Sequence, residues 1–395
     1  MSNSNEVVIL SGVRTAIGTY GGSLKDQPPG DLAAGCIKEA LSRAGVAPDA
    51  VGHCVMGTVV PNGAQEFYLS RYAAITAGIP QETPAMNVNR LCGSGLQAIV
   101  SAAQSILLGD AKCAVAGGAE NMSRTPYILP AARWGQRMGD GQMIDLMVGA
   151  LNDPFGNGHM GCTAENLAER HGISREAQDA LAVEGHKRAA DAIEAGRFKS
   201  QIVPVELKSR KGVKLFDTDE HVRKDIDAEG MAKMRPVFQK DGTVTAANAS
   251  GINDAAAALV LMERGEAERR GLKPMARLIG YTQVGVDPRY MGIGPVPAIR
   301  QLLEKTGLTI ADMDTIEINE AFAAQALAVA RELDLPEDKL NPNGSGIALG
   351  HPIGATGAVL TVKALYELER IDGRYGLISL CIGGGQGIAA IIERI

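Results

Sequence analysis

The sequence predicts an α/β protein made of two copies of one unit, with a long insertion in the first copy. Short β-branched runs alternate with alanine-rich helical stretches, the pattern of βαβ units with a largely parallel, helix-covered sheet. The segment CIKEALSRAGVAPDAVGHCVMG (36–57) aligns without a gap against AIRQLLEKTGLTIADMDTIEIN (298–319), so helix, glycine stop, polar turn and strand recur in the same order. Composition agrees: of 395 residues, 45% are hydrophobic and only 4% aromatic, so Ala, Val, Ile and Leu must do the packing.

In chain order, VVILSGV (7–13) reads as a strand and DLAAGCIKEALSRAG (31–45) as an amphipathic helix stopped by Gly45. HCVMGTVV (53–60) is a second strand. PAMNVN leads through a glycine-rich turn into the helix LQAIVSAAQSILLGD (96–110), and CAVAGGAE (113–120) is the next strand. Residues 121–246 do not fit the repeat. They hold a Pro/Arg/Trp/Gly-rich stretch, a helix-rich run and a basic, turn-rich segment, and read as a lid or binding subdomain. TAANASGINDAAAALVLMERGEAERRG (245–271) resumes a strand–helix pattern that should rejoin the first copy. In the second copy, NPN (341–343) resembles NVN (87–89), and SLCIGGGQG resembles CAVAGGAE. Domain boundaries follow: 1–120 plus 247–272, the insertion 121–246, and 273–395. The copies should pack as a pseudo-dimer with a site where equivalent turns converge.

Three glycine-rich turns carry reactive side chains: Cys92 in NRLCGSGLQA, His351 in GSGIALGHPIGATG and Cys381 in SLCIGGGQG. Glycine lets a substrate approach the backbone and leaves N–H groups free for an anion. Cys92 lies where a strand turns into a helix, a place that lowers a thiol's pKa and offers N–H groups to an oxyanion. A small buried cysteine is the ordinary alternative, and it is the reading for Cys36, Cys54, Cys113 and Cys162. His351, fixed by Pro352, is a candidate base with an unperturbed pKa near neutrality. His171, His186 and His221 lie among charged residues and read as surface positions, whereas His159 sits in the glycine-rich GNGHMG. Cys381 suits a general acid/base at carbon if its pKa lies nearer neutrality than a bulk thiol's; a tight packing turn explains the glycines equally well. Asn319 in INEAFAAQ is either a helix N-cap or an oxyanion-hole amide.

The net charge of −6 disfavours a general nucleic-acid surface, and KSRKG (208–212) and HVRKD (221–225) are the places for a local basic patch. The six cysteines show no C-x-x-C pair and no zinc-site spacing, so no metal is expected. MSNSNEVVIL lacks the features of a signal peptide, and no apolar run reads as long enough to cross a membrane. A reducing cytoplasm is the expected compartment.

Taken together, NRLCGSGLQA, HMG-x-TAEN, NASGINDAAAA, MGIGP, NEAFAAQ, GHPIGATG and CIGGGQG resemble the thiolase family, in family order and along the whole chain. The chain looks most like the bacterial acetyl-CoA acetyltransferase and β-ketothiolase branch. That resemblance implies two duplicated halves in a five-layered α-β-α-β-α fold, an inserted loop domain, and a homotetramer built as a dimer of dimers. It implies a reversible Claisen condensation of acetyl-CoA with acyl-CoA, with coenzyme A thioesters as substrates and no tightly bound cofactor. Cys92 would take the acyl group, His351 would activate it, and Cys381 would exchange the C2 proton. Asn319 would hold a water in one oxyanion hole with His351, and the N–H groups of Cys92 and Gly383 would form another. Arg223 and Ser250 would contact coenzyme A, with Leu151, His159, Met160, Ala246, Met291, Ala321 and Phe322 along the arm and acyl pocket. GATG has Thr356 where many relatives have Ser.

Other readings are a longer-chain degradative thiolase, a decarboxylating condensing enzyme, a non-catalytic acyl-CoA carrier and a thiol redox protein. Cys381 speaks against the second, since decarboxylation needs no base at C2. Two reactive thiols speak against a carrier, and the lack of C-x-x-C against redox chemistry.

Overall fold

The computed structural model describes residues 6–210 and 212–395; Lys211 of the basic run and the start of the N-terminal segment lie outside the described residues. Nine strands form the main sheet: β1 (Val7–Arg14), β2 (His53–Gly57), β3 (Ala85–Val88), β4 (Cys113–Asn121), β5 (Asn253–Glu263), β6 (Ala276–Gly285), β7 (Thr315–Ile318), β8 (Tyr375–Ile382) and β9 (Gln386–Arg394). Eight helices matter here: α1 (Pro29–Ala44), α2 (Leu69–Thr76), α3 (Ser94–Leu108), α4 (Met160–Arg170), α5 (Arg175–Glu194), α6 (Pro295–Thr306), α7 (Ala323–Leu333) and α8 (Thr356–Ile371).

The strand order is β7-β8-β9-β6-β1-β5-β4-β2-β3, with the short strand Gly18–Thr19 added on β5. Read outward from the β6–β1 seam, the order is the same on both sides: β1-β5-β4-β2-β3 and β6-β9-β8-β7, with Leu340 bridging Ile316 in the place of a last strand. Directions match too. The β2–β3, β2–β4 and β7–β8 pairs are parallel, and the pairs nearer the seam are antiparallel. The seam itself is only two partner pairs, Val8 with Arg277 and Ile9 with Ala276. The fold is therefore two like sheets meeting edge to edge, as the ungapped self-alignment predicts.

Register refines the alignment. His53 and Thr315 are equivalent at an offset of 262 residues, and their sheet partners Ala114 and Gly376 keep that offset. Carried along the strands, Cys381 corresponds to Ala119 and Ile382 to Glu120. The glycines of CAVAGGAE lie inside β4, whereas Gly383–Gly385 make the β8–β9 hairpin turn, so that match identifies the right strands without matching their glycines.

Helices α3 and α8 pack on one another between the two sheets. They approach closely because glycines face the contact: a Cβ on Gly95 would come 2.7 Å from Ala358 N, and one on Gly357 would come 3.0 Å from Leu96 Cα. Helices α1 with α2, and α6 with α7, serve the two halves as counterparts, which completes the five layers. Gly45 adopts φ 63° and stops α1 as predicted. Two expectations change. The strand at 53 ends at Gly57 rather than reaching residue 60, because Thr58–Val60 leave the sheet for the site. Leu91–Leu108 is in fact apolar and long enough to cross a membrane, but it is mostly buried here as the central helix.

The long insertion between β4 and β5 carries α4, α5 and a hairpin, and returns to the core through residues 219–223. Arg14 donates to Asp219 Oδ1 and Oδ2 at 2.7 and 2.9 Å, with both side chains fully buried. Asp219 also accepts from Ile17 N, and Glu220 from Thr19 N and Ser23 Oγ. Removing one partner of such a buried pair costs about 3–5 kcal/mol, because the other charge stays behind unpaired.

Candidate active site

The turn between β3 and α3 brings Cys92 two residues ahead of the helix. Leu91 takes φ 46°, a strained value for leucine, which is held by Ser94 N donating to Leu91 O and Leu91 N donating to Asn89 Oδ1. Cys92 packs with Val59, Val60, Met122 and Ile353, so its turn meets the turn that carries His351. The N–H groups of Gly383 and of Cys92 itself point at its sulfur and favour the thiolate, but burial outweighs them and the thiol's pKa is raised. Helix-start placement alone predicted the opposite direction.

Cys381, the last residue but one of β8, is buried and close enough to Cys92 for the charge of one to oppose that of the other. Burial is the larger cause, and it pushes the thiol well above its ordinary range rather than toward neutrality. Met160, Met291, Ala321 and Phe322 surround Cys381 in one apolar cluster. Of the other cysteines, Cys36, Cys54 and Cys113 are buried as expected, with thiols pushed up to about 12 by desolvation, whereas Cys162 is only half-buried.

His351 is 5% exposed, and burial lowers its pKa to about 4, well below the neutrality expected of a free base. Its backbone N–H donates to Asn253 Oδ1 at 3.0 Å. Nδ1 lies 2.7 Å from Thr356 Oγ1, and that hydroxyl donates its only proton to Pro352 O at 2.9 Å. Nδ1 must then carry a proton toward Thr356, which leaves the lone pair on Nε2. Asn319 Nδ2 lies 3.4 Å from Nε2, and Asn319 Oδ1 is buried without a protein partner among the described residues. A neutral thiol, a neutral imidazole and a poised amide thus converge with two backbone N–H groups. This set can form a thioester on sulfur and hold negative charge on a carbonyl oxygen.

Beside it opens a cavity of about 440 Å³ reaching His351 and Ile353. Of the residues expected to contact coenzyme A, Leu151, His159, Arg223, Ala246, Ser250 and Phe322 line it. Met160, Met291 and Ala321 lie instead in the apolar cluster around Cys381, and Met160 faces Gly383, where an added Cβ would come 3.0 Å from its methyl. His159 accepts from Gly161 N and stacks on Phe238 at 4.6 Å, and Phe238 meets Phe322 edge-on at 6.0 Å.

Two histidines read as surface positions are not. His186 is 3% exposed and accepts from Arg223 N, while His221 lines the cavity; burial lowers both to about 4. Charged sequence neighbours misled at His221, since Asp219 turns inward on the core while Glu220 bonds the Gly18–Ser23 loop at the surface. Sequence reasoning also missed Phe238 and the buried Glu120. A lone phenylalanine carries no signal, but an acid inside an otherwise apolar strand was a visible one.

Among the described residues no cluster of His, Cys, Asp or Glu is arranged to hold a metal. The thiolase N-terminal domain model matches residues 7–265 and the thiolase C-terminal domain model residues 272–394. The beta-ketothiolase BktB of Cupriavidus necator is 63% identical over 393 residues, covering 99% of this chain and 100% of the relative. An acetyl-CoA acetyltransferase of Syntrophomonas wolfei is 50% identical over 397 residues, covering 99% and 100%. The crystal structure of the Bacillus anthracis acetyl-CoA acetyltransferase superposes with a TM-score of 0.97 at 49% identity, covering all of both chains. Human mitochondrial 3-ketoacyl-CoA thiolase in complex with CoA superposes at 0.97 with 44% identity, covering 100% of this chain and 99% of that one. Mirror-ordered sheets, converging turns and end-to-end likeness agree: this chain belongs to the thiolase family of acyltransferases.

Proposed function

We propose that this protein is an acetyl-CoA C-acetyltransferase of β-ketothiolase type, joining or cleaving acetyl-CoA and a second acyl-CoA through an acyl-Cys92 intermediate. The observation that carries the reading is the convergence of Cys92, the Gly383 N–H and Cys381 beside a histidine whose Nε2 is free to accept a proton. In the condensing direction, His351 Nε2 takes the Cys92 proton as sulfur attacks the acetyl-CoA carbonyl. The N–H groups of Cys92 and Gly383 hold the oxyanion, and coenzyme A leaves as its thiol with that proton. His351 Nε2, neutral again, takes the Cys381 proton, and the Cys381 thiolate accepts the C2 proton of a second acetyl-CoA. The resulting enolate, held by the Nε2–H that His351 has just gained and by a water on Asn319, attacks the acyl-thioester, and the Cys92 sulfur leaves with the His351 proton. Thiolysis is the reverse.

Burial of the thiol and the imidazole makes a resting ion pair unfavourable, so proton transfer must accompany attack, when negative charge passes to a carbonyl oxygen facing fixed donors. The raised pKa of Cys381 makes its thiolate a stronger base, as removal of a C–H proton requires. Arg223 and Ser250 on the cavity wall support a phosphate and pantetheine site for coenzyme A. Exposed Tyr127, Leu129, Trp134, Met138 and Met143 in the insertion support its use as a tetramer contact. The high identity to a β-ketothiolase supports a 3-ketoacyl-CoA as the substrate of cleavage.

Incubation with acetyl-CoA should add one acetyl mass to the peptide containing Cys92, and acetoacetyl-CoA with coenzyme A should be consumed. An unlabelled Cys92 peptide would remove the nucleophile. Comparing rates over C4 to C10 3-ketoacyl-CoA thioesters separates the acetyl-specific from the longer-chain degradative reading.

A further inference from the structure

Glu120 is the acid buried at the end of β4, 1% exposed, with no basic side chain among the described residues paired to it. Its carboxylate is filled by backbone donors instead. Val59 N donates to Oε2 at 2.9 Å, Val60 N to Oε1 at 3.1 Å and Gly354 N to Oε2 at 2.9 Å. The first two belong to the segment packed on Cys92, and the third to the His351–Thr356 turn. One side chain thus ties together the two chain segments that flank the thiol and the imidazole. Contact is tight on the turn's side, since a Cβ on Gly354 would overlap this carboxylate and lie 2.8 Å from Thr58 Cα.

The duplication shows that packing alone does not call for an acid here. The counterpart of Glu120 in the second copy is Ile382, which lies beneath Gly93, in the turn before α3, as Glu120 lies beneath Gly354, in the turn before α8. An apolar side chain supports one turn, and a carboxylate with three N–H partners supports the other. Burying that charge is costly, and the raised pKa of about 7, set by desolvation with Asp254 adding to it, reports the cost.

We propose that Glu120 is a positioning residue for the condensation: by gathering the N–H groups of Val59, Val60 and Gly354, it fixes the His351 turn in register with Cys92. This rests on Cys92 as the nucleophile and adds to that reading a residue that touches no substrate. Glu120 does not line the coenzyme A cavity, so its loss should lower kcat and spare KM. Its charge also raises the Cys92 thiol, which gives a second readout that a purely structural brace would not move.

The test compares E120Q and E120D with the wild type in thiolysis of acetoacetyl-CoA, together with the pH dependence of Cys92 alkylation by iodoacetamide. Both folded variants should lose at least about tenfold in kcat with KM within about threefold. In E120Q the alkylation midpoint should move to lower pH, while E120D, which keeps the charge and shortens the reach, should stay near the wild type. A kcat within twofold of the wild type in either folded variant overturns the proposal, as does an E120Q midpoint that stays put or rises. If E120Q does not fold, the kcat and KM of E120D decide alone. Wild-type protein that neither cleaves acetoacetyl-CoA nor acetylates Cys92 would sink the thiolase reading itself, whereas an active wild type with unaltered variants sinks only the role of Glu120.

Discussion

His351 owes its tautomer to a hydroxyl five residues on, because Thr356 gives its proton to Pro352 O and can only accept from Nδ1. Thr356→Val removes that acceptor inside a buried site, where a lost hydrogen bond to a group that becomes charged costs about 1.5–3 kcal/mol. The expected result is a fall in kcat of about 10- to 100-fold, against a change within about twofold for Thr356→Ser, measured by steady-state thiolysis. Cys381→Ser should still acetylate Cys92 yet lose exchange of the acetyl-CoA C2 proton with solvent deuterium; wild-type exchange in that variant would take Cys381 out of the mechanism. Cys92, His351, Cys381 and Asn319 were legible in the sequence as candidates because glycine-rich turns and motif order mark them. Their protonation was not. Sequence context suggested a lowered thiol and near-neutral partners, whereas burial, a property of the folded surroundings, pushes both thiols up and the imidazole down.

At the scale of elements, residues 219–223 show how an insertion is made to serve a core. Asp219 and Glu220 fasten the strap to β1 and the Gly18–Ser23 loop, and the next residues present His221 and Arg223 to the cavity. Asp219→Ala leaves Arg14 buried and unpaired, so unfolding by denaturant should show a loss of about 3–5 kcal/mol. The KM for coenzyme A should rise in whatever folded fraction remains, since the strap that carries Arg223 loosens. A stability within 1 kcal/mol of the wild type would show, by the same scale, that the pair is replaceable. Helices and strands of the repeat were readable from periodicity and glycine stops. The strap was not, because alternating acids and bases in DTDEHVRKD look like solvated surface until the partners of Asp219, more than two hundred residues away, are known.

Across the whole molecule, buried histidines and buried glutamates set opposing pH dependences. His186, His221 and His351 have folded values of about 4 against an ordinary 6.5, so below 6.5 the unfolded chain binds more protons and stability falls as pH drops toward 4. Glu120, and Glu317 buried in β7 against Lys363, have folded values of about 7 against 4.5, so they bind protons in the folded state first and gain stability as pH falls from 7 to 4.5. His186→Gln removes one of the three destabilising titrations. Its Tm deficit against the wild type at pH 7 should therefore shrink as pH is lowered to 4.5; a constant deficit in calorimetry would show that His186 is not held neutral. The duplication was legible in the sequence as an ungapped self-match, and its mirror order across the seam appears only in the pairing. That mirror order has a consequence for ancestry. A dimer of identical subunits must place the same side chain beneath both central turns, so an acid chosen for one turn is forced on the other. Joining the copies in one chain frees position 120 from position 382, and a symmetric frame can then mature a single lopsided reaction centre.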